Sequence, residues 1–215
     1  MNILMKKPTS LLVLYFLTIS FIIAQQNSYE SNELDKQTIN QQDILDALKM
    51  SGIEIYKFYF GEFSDKYMIS FILEEFTKDS LKQQTILYKG GNIFKYYDDA
   101  GKLKEDYISQ VRVISKEEEN DCLLSIDLHG TILNRQFVYV KTYDRQFFRW
   151  RRFAETNWTL NNKIPLMAYI SSWRDEKGYI RHCGVRQLKE NDKSTNEFFS
   201  KSPSYFILSY MIENK

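Results

Sequence analysis

From Ile53 to the C-terminus, apolar residues recur at every second position in short runs, and turn-forming residues separate those runs. Period-two runs rich in β-branched and aromatic residues are strand signals. They read as IEIYKFYF, KYMISFILEEF, LKQQTILYK, NIFKYY, DYISQVRVIS, CLLSIDL, NRQFVYVKT, FFRWRRF, KIPLMAYISSW, YIRHCGV and SYFILSYMIE. In YMISFILEEF both alternating faces are apolar, which predicts a central strand covered on both sides. In CLLSIDL one face carries Cys122, Leu124, Ile126 and Leu128, and Leu123, Ser125 and Asp127 face away.

Two short stretches follow the helical period instead. Asn40 is placed to cap QQDILDALKM, which has Asp43 in its first turn and Ser51-Gly52 as its stop. Ser194-Thr195-Asn196-Glu197 ahead of Phe198-Phe199 has the spacing of a capping box. Strands never alternate with long helices, which disfavours a parallel α/β fold. The expected fold is mainly β: an antiparallel β-sandwich or strongly curved sheet of about ten short strands, with two short helices.

The N-terminus has another kind of pattern. Lys6 and Lys7 precede the uncharged run SLLVLYFLTISFIIA, and the small residue Ala24 closes it. That order reads as a secretory signal over residues 1–24. The run is shorter than the roughly 20 apolar residues a spanning helix needs. No transmembrane segment is expected once it is cleaved. Residues 25–40 are polar and read as a flexible leader, and 41–215 read as a single β-rich domain. Loss of Lys6 and Lys7 takes the net charge from +1 to −1. A near-neutral exported chain offers no bulk attraction to nucleic acid, so none is expected as a partner.

FFRWRRF concentrates the candidate chemistry. On a strand, Phe148, Trp150 and Arg152 share one face, and Phe147, Arg149, Arg151 and Phe153 share the other. Asp144-Arg145 before it suggests a hairpin from FVYVKT. One reading is a near-edge strand with its rings packed inward and its arginines lying over apolar neighbours. The other is a binding face, where Trp150, Trp158 or Trp173 stacks on a ligand and Arg149 or Arg151 holds an anionic group.

No catalytic set emerges. His129 and His182 lack metal-ligand spacing, and His182-Cys183 are strand neighbours that point apart. No cofactor or metal motif is present. Glu74 and Glu75 likewise face apart, and Glu117 to Glu119 read as a charged hairpin loop. Cys122 and Cys183 leave two options open, one bridge in an oxidising compartment or two buried thiols.

Ile164-Pro165-Leu166 with Tyr169, Ser172 and Trp173, then Ile180-Arg181-His182-Cys183-Gly184, then Ser202-Pro203-Ser204-Tyr205, resembles a family of uncharacterised exported proteins of Bacteroidota, a domain of unknown function. The resemblance is clearest over the C-terminal half. It implies a periplasmic or secreted product and assigns no activity. In such a host, Asp79-Ser80-Leu81 is similar to a short O-glycosylation signal, with Ser80 as the acceptor. The expected function is a non-catalytic binding or interaction domain of the envelope, for a glycan, a peptide or another envelope protein. An exported hydrolase with carboxylates brought together by the fold, or a structural envelope component, is the alternative.

Overall fold

The computed structural model describes residues 40–61, 66–91, 93–128 and 131–215. The expected signal, and the leader up to residue 39, lie outside the described residues. Helix α1 (Gln41–Met50) has the expected cap. The Asn40 side-chain oxygen accepts from the backbone N–H of Gln42 at 2.7 Å and Asp43 at 3.0 Å. The Asp43 carboxylate accepts from the Asn40 N–H at 2.9 Å, which completes a reciprocal cap. The strands all fall in the compact unit Ser51–Lys215, and α1 belongs to the other unit.

In chain order that unit contains β1 (Ile53–Tyr59), β2 (Tyr67–Thr77), β3 (Ser80–Gly91), β4 (Ile93–Tyr97), β5 (Leu103–Tyr107), β6 (Gln110–Glu117), β7 (Asp121–Leu128) and β8 (Thr131–Val138). Then come β9 (Phe148–Phe153), β10 (Lys163–Ser171), β11 (Trp173–Arg174), β12 (Ile180–Arg181), β13 (Gln187–Leu188), α2 (Lys193–Lys201) and β14 (Ser204–Asn214). Strands β1-β6-β7-β8 form a four-stranded antiparallel sheet. Strands β13-β9-β10-β14-β2-β3 form a six-stranded sheet, antiparallel except for the short β13–β9 pair. The pairs β4–β5 and β11–β12 are separate ribbons. The fold is mainly β and sandwich-like, with two short helices, as the alternation predicts.

One core lies between the two large sheets. The smaller contributes Phe58, Val111, Val113, Leu124, Ile126 and Phe137. The larger contributes Ile69, Phe71, Trp150, Tyr169, Leu208 and Tyr210. Every second residue of β7 points into this layer, the face read from CLLSIDL. A second, smaller cluster of Phe153, Ala168, Ile170, Cys183, Leu188 and Tyr205 covers the opposite face of the larger sheet. That is why β2 and β10 are buried on both sides.

Four expectations need correction. FVYVKT and FFRWRRF are not a hairpin, because β8 belongs to the smaller sheet and β9 to the larger. The connection carries Tyr139 across the core edge, where its ring lies 4.4 Å from that of Phe148. YIRHCGV contributes only the two residues of β12. Past Arg181 the Cys183 carbonyl is taken by the Arg151 side chain instead of a strand ladder. DYISQVRVIS is not one strand: Gln110 begins β6, and Asp106 and Tyr107 belong instead to β5. Strand β5 pairs with β4, where Lys95 and Glu105 lie opposite each other with an ion pair of 2.7 Å. Finally, α2 is capped by Asp192, not Ser194. The Asp192 carboxylate accepts from the backbone N–H of Ser194 at 3.0 Å and Thr195 at 3.1 Å.

Candidate functional site

The second face of the six-stranded sheet is only partly covered, and the gap is a cleft of about 240 Å³. Its floor comes from strand alternation. On β2, Leu73 points into the main core, so Glu74 points to the opposite face. On β14, Leu208 points inward, so Ile207 and Ser209 join Glu74 on the floor. Its wall is α2. Phe198 and Phe199 pack this helix onto the smaller cluster. The Ser202 hydroxyl at its C-terminus lies 2.7 Å from that of Ser171 on β10.

Glu74 is the unusual residue of this floor. It is only 3% exposed. Lys163 at the start of β10 reaches it at 2.5 Å, with its own side chain 41% exposed. A carboxylate is costly to bury without a cation, so the lysine is what makes this position tenable. Phe76, Phe153 and Phe199 add apolar surface, and Glu190, Asn191 and Asn196 add polar groups. Tyr205 stacks on Phe76 at 4.8 Å and on Phe199 at 4.5 Å, a three-ring pile beneath the helix. Its hydroxyl donates to Asp79 at 3.2 Å, and burial, first, with Asp79, second, pushes its pKa up. Asn196 and Phe199 also line a wider, more open hollow beside Asp79 and Lys193. Such a surface can hydrogen-bond hydroxyls or amides while its rings cover apolar edges.

The three tryptophans do not meet. Trp150 is 4% exposed, inside the main core, 4.9 Å from the Tyr169 ring and 6.3 Å from the Phe137 ring. It faces inward because strand parity puts it on the core side with Phe148, so it offers no stacking surface. Trp158 is half-buried against Tyr67 at 5.6 Å, and Trp173 lies 6.1 Å from Phe198. The strand reading of FFRWRRF therefore describes its rings. Arg149 and Arg151 do face outward together. Arg149 lies over the Phe147 ring, and Arg151 binds the carbonyls of Cys183 and Trp150.

Cys122 and Cys183 are not bridged. Each is a buried free thiol, one in the main core and one in the smaller cluster. They lie on opposite sides of the six-stranded sheet, and burial pushes the Cys122 thiol up to about 12. Ser80 is exposed at the start of β3. It follows Lys78 and Asp79, whose φ of 48° and 61° make a tight hairpin turn. His129 lies outside the described residues. Among the described residues no three His, Cys, Asp or Glu side chains come together as a metal site. No described helix is long and apolar enough to cross a membrane.

Sequence reasoning placed Glu74 on a strand and Phe199 on a helix but had no means of joining them. The available signal was an acid inside an apolar run, ILEEF, which on a doubly covered strand must meet a partner.

A two-sheet sandwich with a cleft under an accessory helix defines the class of this β domain. The chain belongs to the family described as Domain of unknown function (DUF5041), which matches residues 22–214. No curated protein and no solved structure matches it.

Proposed function

We propose that this chain is an exported, non-catalytic binding domain of the bacterial envelope, from a Bacteroidota host, and that it holds its ligand in the cleft beside α2. The observation that carries the reading is Glu74, a buried carboxylate at the base of an open cleft with aromatic and amide groups around it. A glycan or peptide segment fits this chemistry, because hydroxyls or amides would meet Glu74, Asn191 and Asn196 while the rings cover apolar edges. The basic–apolar–small pattern of residues 6–24 supports export to the periplasm or beyond. N-terminal sequencing of the released protein should begin at Gln25. Ser80, exposed after its turn, is the proposed O-glycan acceptor, and intact mass of the same material should carry the added sugar.

The decisive experiment compares the native protein with Asn196→Trp, which fills the cleft from its rim. Glycan and peptide arrays at concentrations that register weak binding should give hits that the Trp variant loses. Hits retained in full by the variant would remove the cleft from the reading, and an empty array would remove the binding function. A hydrolase reading has one observation in its favour, since Glu74 and Glu190 line the same cleft. Turnover of any glycan that binds, abolished by Glu74→Gln, would favour it over simple binding.

A further inference from the structure

Away from the cleft, the outward face of β9 carries two arginines that no carboxylate among the described residues pairs with. Arg149 and Arg151 are two residues apart on one face of the strand. His182 comes beside them from the segment after β12. The Phe147 ring links the group. The Arg149 guanidinium carbon lies 5.1 Å from its centroid, and the His182 ring centroid lies 5.7 Å away. Arg151 is fixed more firmly. Its Nε and Nη2 donate to the Cys183 carbonyl at 3.2 and 2.9 Å, and its Nη1 donates to the Trp150 carbonyl at 2.8 Å. Those bonds hold the chain at residue 183 against β9. They use three of the five guanidinium N–H groups and leave two.

Elsewhere on the chain, arginine and lysine side chains find carboxylates. Arg181 pairs with Asp175 at 2.8 Å, Arg112 with Asp127 at 2.5 Å, and Lys201 with Glu197 at 2.5 Å. Among the described residues, Arg149, Arg151 and His182 have no carboxylate within ion-pair distance. Glu117 feels the Arg149 charge through space only. Burial first, then the charges of Arg149 and Arg151, holds His182 below the ordinary histidine value.

We propose that Arg149, Arg151 and His182 form a binding site for a phosphate or sulfate group. The arginine forks match a tetrahedral oxyanion, and one of them is already rigid. The histidine supplies a further donor when it takes up a proton, and a bound dianion would favour that proton.

The chain has two histidines, so the ring signals of His182 can be assigned by their loss in His182→Gln. We would follow them by NMR in the native protein while sulfate replaces chloride at constant ionic strength. Sulfate should raise the apparent pKa of His182 by about one unit and saturate. Arg149→Ala should by itself raise that pKa, because a repelling charge is gone, and should weaken sulfate about tenfold. Arg149→Lys should fall between, since it keeps the charge and loses the fork. Amide spectra of each variant report whether the fold is intact. A His182 response to sulfate no larger than to chloride would overturn the proposal. So would an unchanged sulfate affinity in a folded Arg149→Ala. Inorganic phosphate and glucose 6-phosphate then separate the sources. Equal affinity assigns a free ion, and tighter binding of the ester assigns an oxyanion carried on a sugar.

Discussion

In the four-stranded sheet, β7 alternates buried and open positions along its whole length, whereas β2 and β10 in the six-stranded sheet each bury six residues in a row. The first sheet has one covered face. Its other face carries Ile55, Ile132 and Val138 in the open, between charged pairs such as Arg112–Asp127. The second sheet is covered twice, by the main core and by the smaller cluster under α2. Only that second cover is incomplete, and both the cleft and the arginine site lie on that face. A sheet with one cover makes a core. A sheet with an additional, partial cover can hold polar groups such as Glu74 in a sheltered place, where a ligand can reach them.

The largest test of this division is in the layer both sheets share. Trp150→Ala removes an indole packed against Phe137 and Tyr169, and should cost about 3–5 kcal/mol. Ile132→Ala, on the open face of the smaller sheet, should change stability by no more than about 0.5 kcal/mol. Urea unfolding of both variants, with equal slopes, measures the difference. Similar losses for the two would mean that the smaller sheet has a second covering layer.

Charge gives the next contrast. Lys163→Met leaves the Glu74 carboxylate buried without a cation, at a cost of about 2 kcal/mol, below the usual range for a buried pair because Lys163 is half in solvent. Arg112→Met breaks a pair on the open face and should cost less than about 1 kcal/mol. Adding Glu74→Gln to Lys163→Met should recover most of the loss, and a double-mutant cycle in urea reads this directly. If the double variant is no better than Lys163→Met, the penalty lies in the packing of the lysine stem.

How much of this was legible in sequence follows the same division. Where one face is covered, alternation is unambiguous: the face of CLLSIDL that carries Cys122, Leu124, Ile126 and Leu128 is the buried one. Where both faces are covered, alternation fades. YMISFILEEF reads as a central strand, but not which side Glu74 meets or what partner it finds. Parity placed Trp150 and Arg151 on opposite faces of β9, correctly, but parity does not say which face is the core. That depends on β8 crossing to the other sheet, a long-range event with no local signal at Asp144-Arg145. The Asp192 cap has a rival in sequence, because Ser194 three residues before Glu197 offers the same spacing, and the helix start is held by a bond of the Lys189 N–H to the buried Thr195 hydroxyl that no local pattern announces.

That cap supports the next, smaller effect. Asp192→Ala removes the acceptor of two backbone N–H groups and should lower the melting temperature by an amount typical of a lost helix cap, with Asp192→Asn restoring most of it. The Ser194 hydrogen bond, first, and the Thr195 backbone bond, second, hold the Asp192 carboxyl below its ordinary value. Its contribution is therefore present above the ordinary carboxylate range and lost as pH falls through its depressed value. A variant that melts like the native protein would show that Phe198 and Phe199 alone hold α2 against the larger sheet.

The smallest effect belongs to His182, and its sign distinguishes it from that of a salt-bridged histidine. Its pKa in the folded chain is depressed, by burial and by Arg149 and Arg151. Between that value and the ordinary one near 6.5, the unfolded chain binds more protons than the folded chain. Stability should therefore fall as pH drops below the ordinary histidine value, with no further loss from this group below the depressed one. A histidine gaining a carboxylate would do the reverse. His182→Gln should flatten this part of the pH profile, and Arg149→Ala should flatten it in part, because one of the repelling charges is gone. Melting curves between pH 7 and 5 with acetate and MES buffers, free of phosphate and sulfate, make the measurement. If His182→Gln steepens the profile instead, protonated His182 is stabilised in the folded chain, and β9 has an acidic neighbour that reaches it in solution.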